Sequence, residues 1–188
     1  VGSEMCIRDR LWGQAAPGAE VRVTVSWDKA AHKAVSDDNG RWRVVVRTPA
    51  ASYDPCTLTF ACGRERIELN DVLAGDVWLL GGQSNMQMNF HGNADQPVED
   101  AQRILLRCRH RNIRLFRVKN GYSCQESDTI RIEGTWTPAN PANVKEFSVV
   151  GYIFGEKLHD LLDIPIGLVQ SAHGGSTAEA WIDRAALQ

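Results

Sequence analysis

Ser84 lies at the end of a glycine turn, in Gly81-Gly82-Gln83-Ser84-Asn85-Met86, where a hydroxyl can serve as an acyl-transfer nucleophile. The run before it, Val77-Trp78-Leu79-Leu80, is short and apolar, as a buried strand is. Where such a strand breaks on glycines, the serine is exposed at the sheet edge. Backbone N–H groups around it can then hold an oxyanion. An ordinary strand-to-loop turn with a capping serine reads the same way locally, so a second segment has to decide. It runs from Ile164 to Trp181, with Ile166-Gly167-Leu168-Val169-Gln170-Ser171 leading into His173-Gly174-Gly175-Ser176. Here too an apolar run ends on glycines, which admit close approach and unusual φ.

The elements that must position these turns follow from the pattern after Gly75. Val77–Leu80 reads as a strand, and Val98 to Arg109 has helical spacing with Ile104, Leu105 and Cys108 on one face. Ile113 to Val118 alternates as a second strand, and residues 119–144, with Pro138, Pro141 and several Asn, read as a loop. Phe147 to Leu162 reads as a helix, Ile164 to Ser171 as a buried strand, and Trp181 to Gln188 as a helix. Alternating strands and helices predict a doubly wound α/β sheet, in which ligands bind beyond the carboxyl ends of strands. Ser84 and Gly174-Gly175 each fall just past such an end.

Residues 11–74 read as β structure. Val21-Arg22-Val23-Thr24-Val25 alternates, Trp42 to Val46 is apolar, and Cys56–Phe60 and Arg66–Leu69 add two strands. Asp38-Asn39-Gly40 signals a hairpin turn, since Asn-Gly accepts positive φ at both central positions. Short strands at this spacing predict a small sandwich.

Together the two glycine blocks resemble the sialate O-acetylesterase family and its carbohydrate acetylesterase relatives within the SGNH hydrolases. That family carries a GQSNM block and, later, a strand ending in a Gly-Gly-Thr/Ser turn followed by Glu-Ala-Trp, here Glu179-Ala180-Trp181. Gly75-Asp76-Val77-Trp78 and Gly151-Tyr152-Ile153-Phe154-Gly155 also match, so the resemblance covers most of the chain from Leu11 onward. It implies a β-sandwich module over residues 11–74. Residues 75–188 would then be the first part of an SGNH-hydrolase-like, flavodoxin-like domain.

The resemblance also implies roles. Ser84 is the nucleophile; its N–H and that of Gly174 or Gly175 are oxyanion donors. Gln83 and Asn85 orient the turn or touch substrate. His173, where the family usually shows Trp or another apolar residue, is expected to wall the pocket. Glu179 is expected near a helix start, where the dipole favours a carboxylate. The family's base lies in a D-x-x-H motif and a third oxyanion donor in W-x-Q-G-E-x-N; the chain contains neither. The implied activity is hydrolysis of acetyl esters on acetylated carbohydrate, sialic acid or plant polysaccharide, through an acyl-enzyme with no metal or organic cofactor. A periplasmic or secreted parent is implied as well.

The remaining residues are given plainer duties. Glu156 and His159, three apart on a helix, read as a surface pair; His32 and His110 also read as surface residues, and His91 as part of a solvated loop. Trp12, Trp27, Trp42 and Trp181 are expected in cores. Cys56, Cys62, Cys108 and Cys124 show no C-x-x-C pairing, which argues against structural zinc and leaves thiols or disulfides open.

The 21 basic and 23 acidic side chains give a net charge of −2, without the basic excess of nucleic-acid binders. No apolar run is long enough to span a bilayer. Val1 to Arg10 reads as the translation of a sequencing-library adapter and is expected to be foreign. The uncapped end at Gln188 completes the expectation of a gene fragment truncated at both ends, with little turnover of its own. Two rivals remain: a non-catalytic carbohydrate-binding protein with a degenerate esterase cleft, and a phosphate-cradling turn. The second is weakened by the absence of G-x-G-x-x-G and of a Walker lysine.

Overall fold

Alternate valines facing one way along a strand can only be buried by a second layer, and this requirement organises the first half of the chain. The structure is a computed structural model that describes residues 8–119 and 134–187. The chain divides into two units, Val1–Gly75 and Asp76–Gln188, and is a mixed α/β protein built mostly of sheet.

In the first unit the strands are β1 (Arg8–Gln14), β2 (Glu20–Val25), β3 (Asp28–Val35), β4 (Arg41–Arg47), β5 (Ser52–Cys62) and β6 (Glu65–Ala74). One antiparallel sheet has the order β3-β2-β5-β6, and β1 pairs with β4 in a second. Val21, Val23 and Val25 of β2 meet Trp42, Val44 and Val46 of β4 and Leu58 of β5 in one core. Each such side chain contributes on the order of 1.5–3 kcal/mol when fully buried. Trp42 lies tilted against Phe60, ring centroids 5.8 Å apart.

Several expectations fail here for identifiable reasons. Asp38-Asn39-Gly40 links β3 to β4, which belong to different sheets, and only Gly40 has positive φ. The Asp37 carboxylate holds this corner, accepting the N–H groups of Asn39 (2.9 Å) and Arg41 (2.8 Å). Trp12 is 77% exposed, because its place on β1 faces away from the core, whereas Trp42 is buried and Trp27 half-buried. His32 is half-buried beside Asp28, at 3.2 Å. Among the described residues, the backbone pairing of β1 includes Arg8 opposite Arg47. That ladder uses main-chain groups, which any side chain supplies, so it is indifferent to the origin of Arg8 to Arg10.

The second unit contains β7 (Asp76–Gly82), α1 (Ser84–Gln87), α2 (Ala101–Arg107), β8 (His110–Arg117), β9 (Thr137–Ala139), α3 (Pro141–Lys145), α4 (Val149–Leu162) and β10 (Ile166–Ala172). The sheet order is β7-β10-β8-β9; the first three strands are parallel, and β9 runs antiparallel to β8. Gly155 lets α4 approach the sheet closely, since a Cβ there would sit 2.5 Å from Leu168 Cδ1 and 2.9 Å from Cδ2. Ser148 starts α4 by accepting the Gly151 N–H (3.1 Å), while its own N–H donates to Gln170 Oε1 on β10 (2.9 Å).

The span 119–144 contains β9 and α3 as well as undescribed residues. Pro141 falls at the first turn of α3, where its missing N–H costs nothing, and Asn140 accepts the Asn143 N–H at 3.0 Å. The expected terminal helix is instead two 3-10 turns, Ala178–Trp181 and Arg184–Ala186. Extended Ile182 separates them, and Asp183 Oδ1 accepts the Ala185 N–H at 2.7 Å. On β7 only Leu80 is buried; Val77 and Leu79 are 66% and 72% exposed, because alternate side chains of a strand point to opposite faces and these two lie on the face away from Leu80. Cys56, Cys62 and Cys108 are free thiols, while Cys124 lies outside the described residues.

Glu156 is not at the surface. It shares a face of α4 with Tyr152 one turn earlier, and accepts from the Tyr152 hydroxyl (3.0 Å) and Arg107 Nη2 (3.1 Å). Half-buried His110 approaches Glu156 at 3.5 Å. Burial pushes the Cys108 thiol and the Tyr152 phenol up from their ordinary values.

Two outcomes follow for stability. Gly155→Ala should lower the unfolding free energy by about 1–3 kcal/mol through overpacking against Leu168, read by denaturant titration; an unchanged midpoint would contradict the packing. Both raised groups favour folding fully at neutral pH and lose that contribution as the unfolded chain ionises. Stability should therefore fall above about pH 8.5 for the thiol and about pH 10 for the phenol. The double substitution of Cys108→Ala with Tyr152→Phe should flatten that decline.

Candidate active site

Two adjacent parallel strands deliver both glycine turns to one edge. β10 pairs with β7 so that Ser171 lies opposite Gly81 and Ala172 opposite Gly82. The His173 N–H then donates to the Gly82 carbonyl at 3.0 Å, a last rung before the chains part. Gly82 has φ +153°, and a Cβ there would press on Met86 Cβ at 3.1 Å, so the strand turns tightly into α1. On the other strand Gly175 takes φ +81°, and Ser176 Oγ closes the turn on the His173 carbonyl at 2.8 Å.

Ser84 opens α1 and is exposed. Its hydroxyl donates to Gln83 Oε1 at 2.7 Å, and the same oxygen accepts the Ser84 N–H at 3.3 Å. Gln83 thus contacts both the hydroxyl and the N–H of Ser84. Among the described residues no imidazole is hydrogen-bonded to Ser84. Asn85 is exposed on α1. Gly174 is brought to the serine: a Cβ built on it would lie 3.9 Å from Ser84 Oγ. Its N–H, however, donates to Gln87 Oε1 at 2.6 Å.

Gln87 escaped the sequence reading. It lies three residues beyond Ser84 on α1, so helical spacing puts both on one side, and that spacing was the available signal.

His173 is half-buried at the start of the second turn. Glu179 is exposed in the first 3-10 turn; its own N–H and the Thr177 hydroxyl hold its carboxyl below the usual range. Trp181 is not core: it is 45% exposed, donates to Ser176 Oγ at 2.9 Å, and its ring passes over Gly81.

A cavity of about 380 Å³ opens beside Gln87, beyond the carboxyl ends of β8 and β10. Arg117, Lys119, Glu146 and Gln170 line it. His91 Nε2 meets Glu146 Oε1 at 2.8 Å, and this contact keeps the Glu146 carboxyl below its ordinary range. His91 thus has a carboxylate partner at the rim. Among the described residues no group of three or more His, Cys, Asp or Glu is arranged to hold a metal ion, and no helix is long and apolar enough to cross a membrane.

An exposed serine at a strand-to-helix turn, with a backbone N–H from a neighbouring turn close by, is suited to acyl transfer once a base takes the serine proton. Comparison with known proteins points the same way. Residues 74–187 match the family described as carbohydrate esterase, sialic acid-specific acetylesterase. The sialate O-acetylesterase of Mus musculus is 31% identical over 193 residues, covering 95% of this chain and 35% of the relative. That of Homo sapiens is 32% identical over 188 residues, covering 91% and 34%. The crystal structure of a carbohydrate acetylesterase from Xanthomonas citri superposes with a TM-score of 0.87 at 33% identity, covering 96% of this chain and 40% of that one. The chain therefore spans about a third of the length of the curated relatives it matches. With its GQSNM turn and its Gly-Gly turn side by side, this chain belongs to the carbohydrate esterase family of sialic acid-specific acetylesterases.

Proposed function

We propose that the parent protein hydrolyses acetyl esters on carbohydrate, sialic acid foremost, with Ser84 as nucleophile. The single observation behind this reading is the approach of Gly174 to Ser84 at the shared edge of β7 and β10. Ser84 Oγ attacks the acetyl carbonyl and its proton passes to a base. The sugar hydroxyl departs with a proton, and water then releases acetate from the acetyl-serine. The Ser84 N–H and the Gly174 or Gly175 N–H hold the oxyanion. No D-x-x-H motif occurs in this chain.

In this reading residues 11–74 form a two-sheet sandwich module and residues 75–188 the first part of an SGNH-like, doubly wound domain. The parent works in the periplasm or outside the cell, as the resemblance implies. His173 walls the pocket; Asn85 and Glu179 flank it.

Gln87 Oε1 takes the place an oxyanion would occupy against the Gly174 N–H, so substrate must displace it. The same contact, together with the absent base, is what a carbohydrate-binding protein with a degenerate cleft would show, and the assay separates the two.

In the complete protein, Ser84→Ala should cut acetate release by about a thousandfold or more. Retained activity would contradict the nucleophile, and no activity in the unmutated protein would favour the binding reading. Gln87→Glu, which sets a carboxylate against the developing oxyanion, should lower kcat by about tenfold to a hundredfold. Gln87→Ala should leave kcat within a few-fold. Equal losses in both would contradict displacement of the amide.

A further inference from the structure

We infer that Arg117 is the specificity-determining residue of this site, binding the carboxylate of an acidic sugar whose acetyl ester is presented to Ser84. The inference rests on the proposed esterase reading and deepens it.

β8 carries Arg117 to its carboxyl end, opposite Gln170 of β10. β10 in turn lies beside β7, whose end leads to Ser84. Two strand spacings, about 10 Å, therefore separate the strand bearing Arg117 from the strand leading to the serine. That is the span of one sugar with its substituents. The cavity of about 380 Å³ is lined by Arg117 together with Gln87 and Ala172, and Gln87 shares α1 with Ser84.

The guanidinium is oriented by a backbone carbonyl. Arg117 Nη1 donates to the Glu146 backbone carbonyl at 3.1 Å, using one of five N–H donors. The Glu146 carboxylate, the acid in this lining, is hydrogen-bonded to His91 at 2.8 Å and also feels the charge of Arg117, which leaves the remaining guanidinium donors to a ligand. Amides of Gln87, Asn89 and Gln170 in the same lining are suited to sugar hydroxyls. A planar fork anchored at one corner fits a carboxylate in bidentate fashion, which an ammonium does not.

The test is titration of sialic acid and of its methyl ester into the 188-residue chain, by calorimetry or NMR. The acid should bind about tenfold or more tightly than the ester, which keeps every hydroxyl but loses the charge. Arg117→Gln, which can still donate to the Glu146 carbonyl, should erase that difference, and Arg117→Lys should keep part of it. Equal binding of acid and ester, or a preference that survives Arg117→Gln, would overturn the inference. So would acetate ion binding as tightly as sialic acid. Failure of the esterase reading would show separately, as acetate release by the complete protein that persists in Ser84→Ala.

Discussion

The parallel pairing of β7 with β10 is the constraint on which the rest of the second unit depends. In-register pairing puts two glycine turns, about ninety positions apart in sequence, side by side at one sheet edge. A slip of one residue would turn every side chain of the strand to the opposite face. Leu80 or Leu168, whichever strand slipped, would leave the core, and the two turns would no longer meet in register.

Amide side chains tie that edge to the helices. Gln170 reaches from β10 to the Ser148 N–H at the start of α4, and Ser148 caps α4 in turn. Gln87 reaches from α1 to Gly174. Gln83 holds the Ser84 hydroxyl and N–H together. Each bond is local, yet together they fix the serine, the second turn and the cavity floor relative to one sheet. A site built on strand ends in this way inherits its precision from the core beneath it.

Much of this was legible because strand ends and glycines mark themselves in sequence. The GQSNM and Gly-Gly turns were found by type and spacing, and β2, β4, β5, β8, α4 and β10 by periodicity. What escaped depended on partners distant in the chain. Arg117 and Glu146 meet across 29 positions, and Gln87 and Gly174 across 87. Nothing local distinguishes Gln87 from any other polar helix residue until Gly174 arrives beside it. Glu156 reads as a solvated charge because its partners Arg107 and His110 lie on other elements. Pro141 reads as a breaker although it starts α3, and Asn39-Gly40 reads as a hairpin although it turns a corner between sheets.

The central claim is that Ser84 is the reacting atom's owner. It is tested most directly by treating the complete protein with a fluorophosphonate, which forms an Oγ–P bond with loss of fluoride and a proton, and locating the adduct by mass spectrometry. The account predicts one adduct, on Ser84, prevented by prior addition of acetylated sialic acid. Labelling at another residue, or none in a protein that releases acetate, would contradict it.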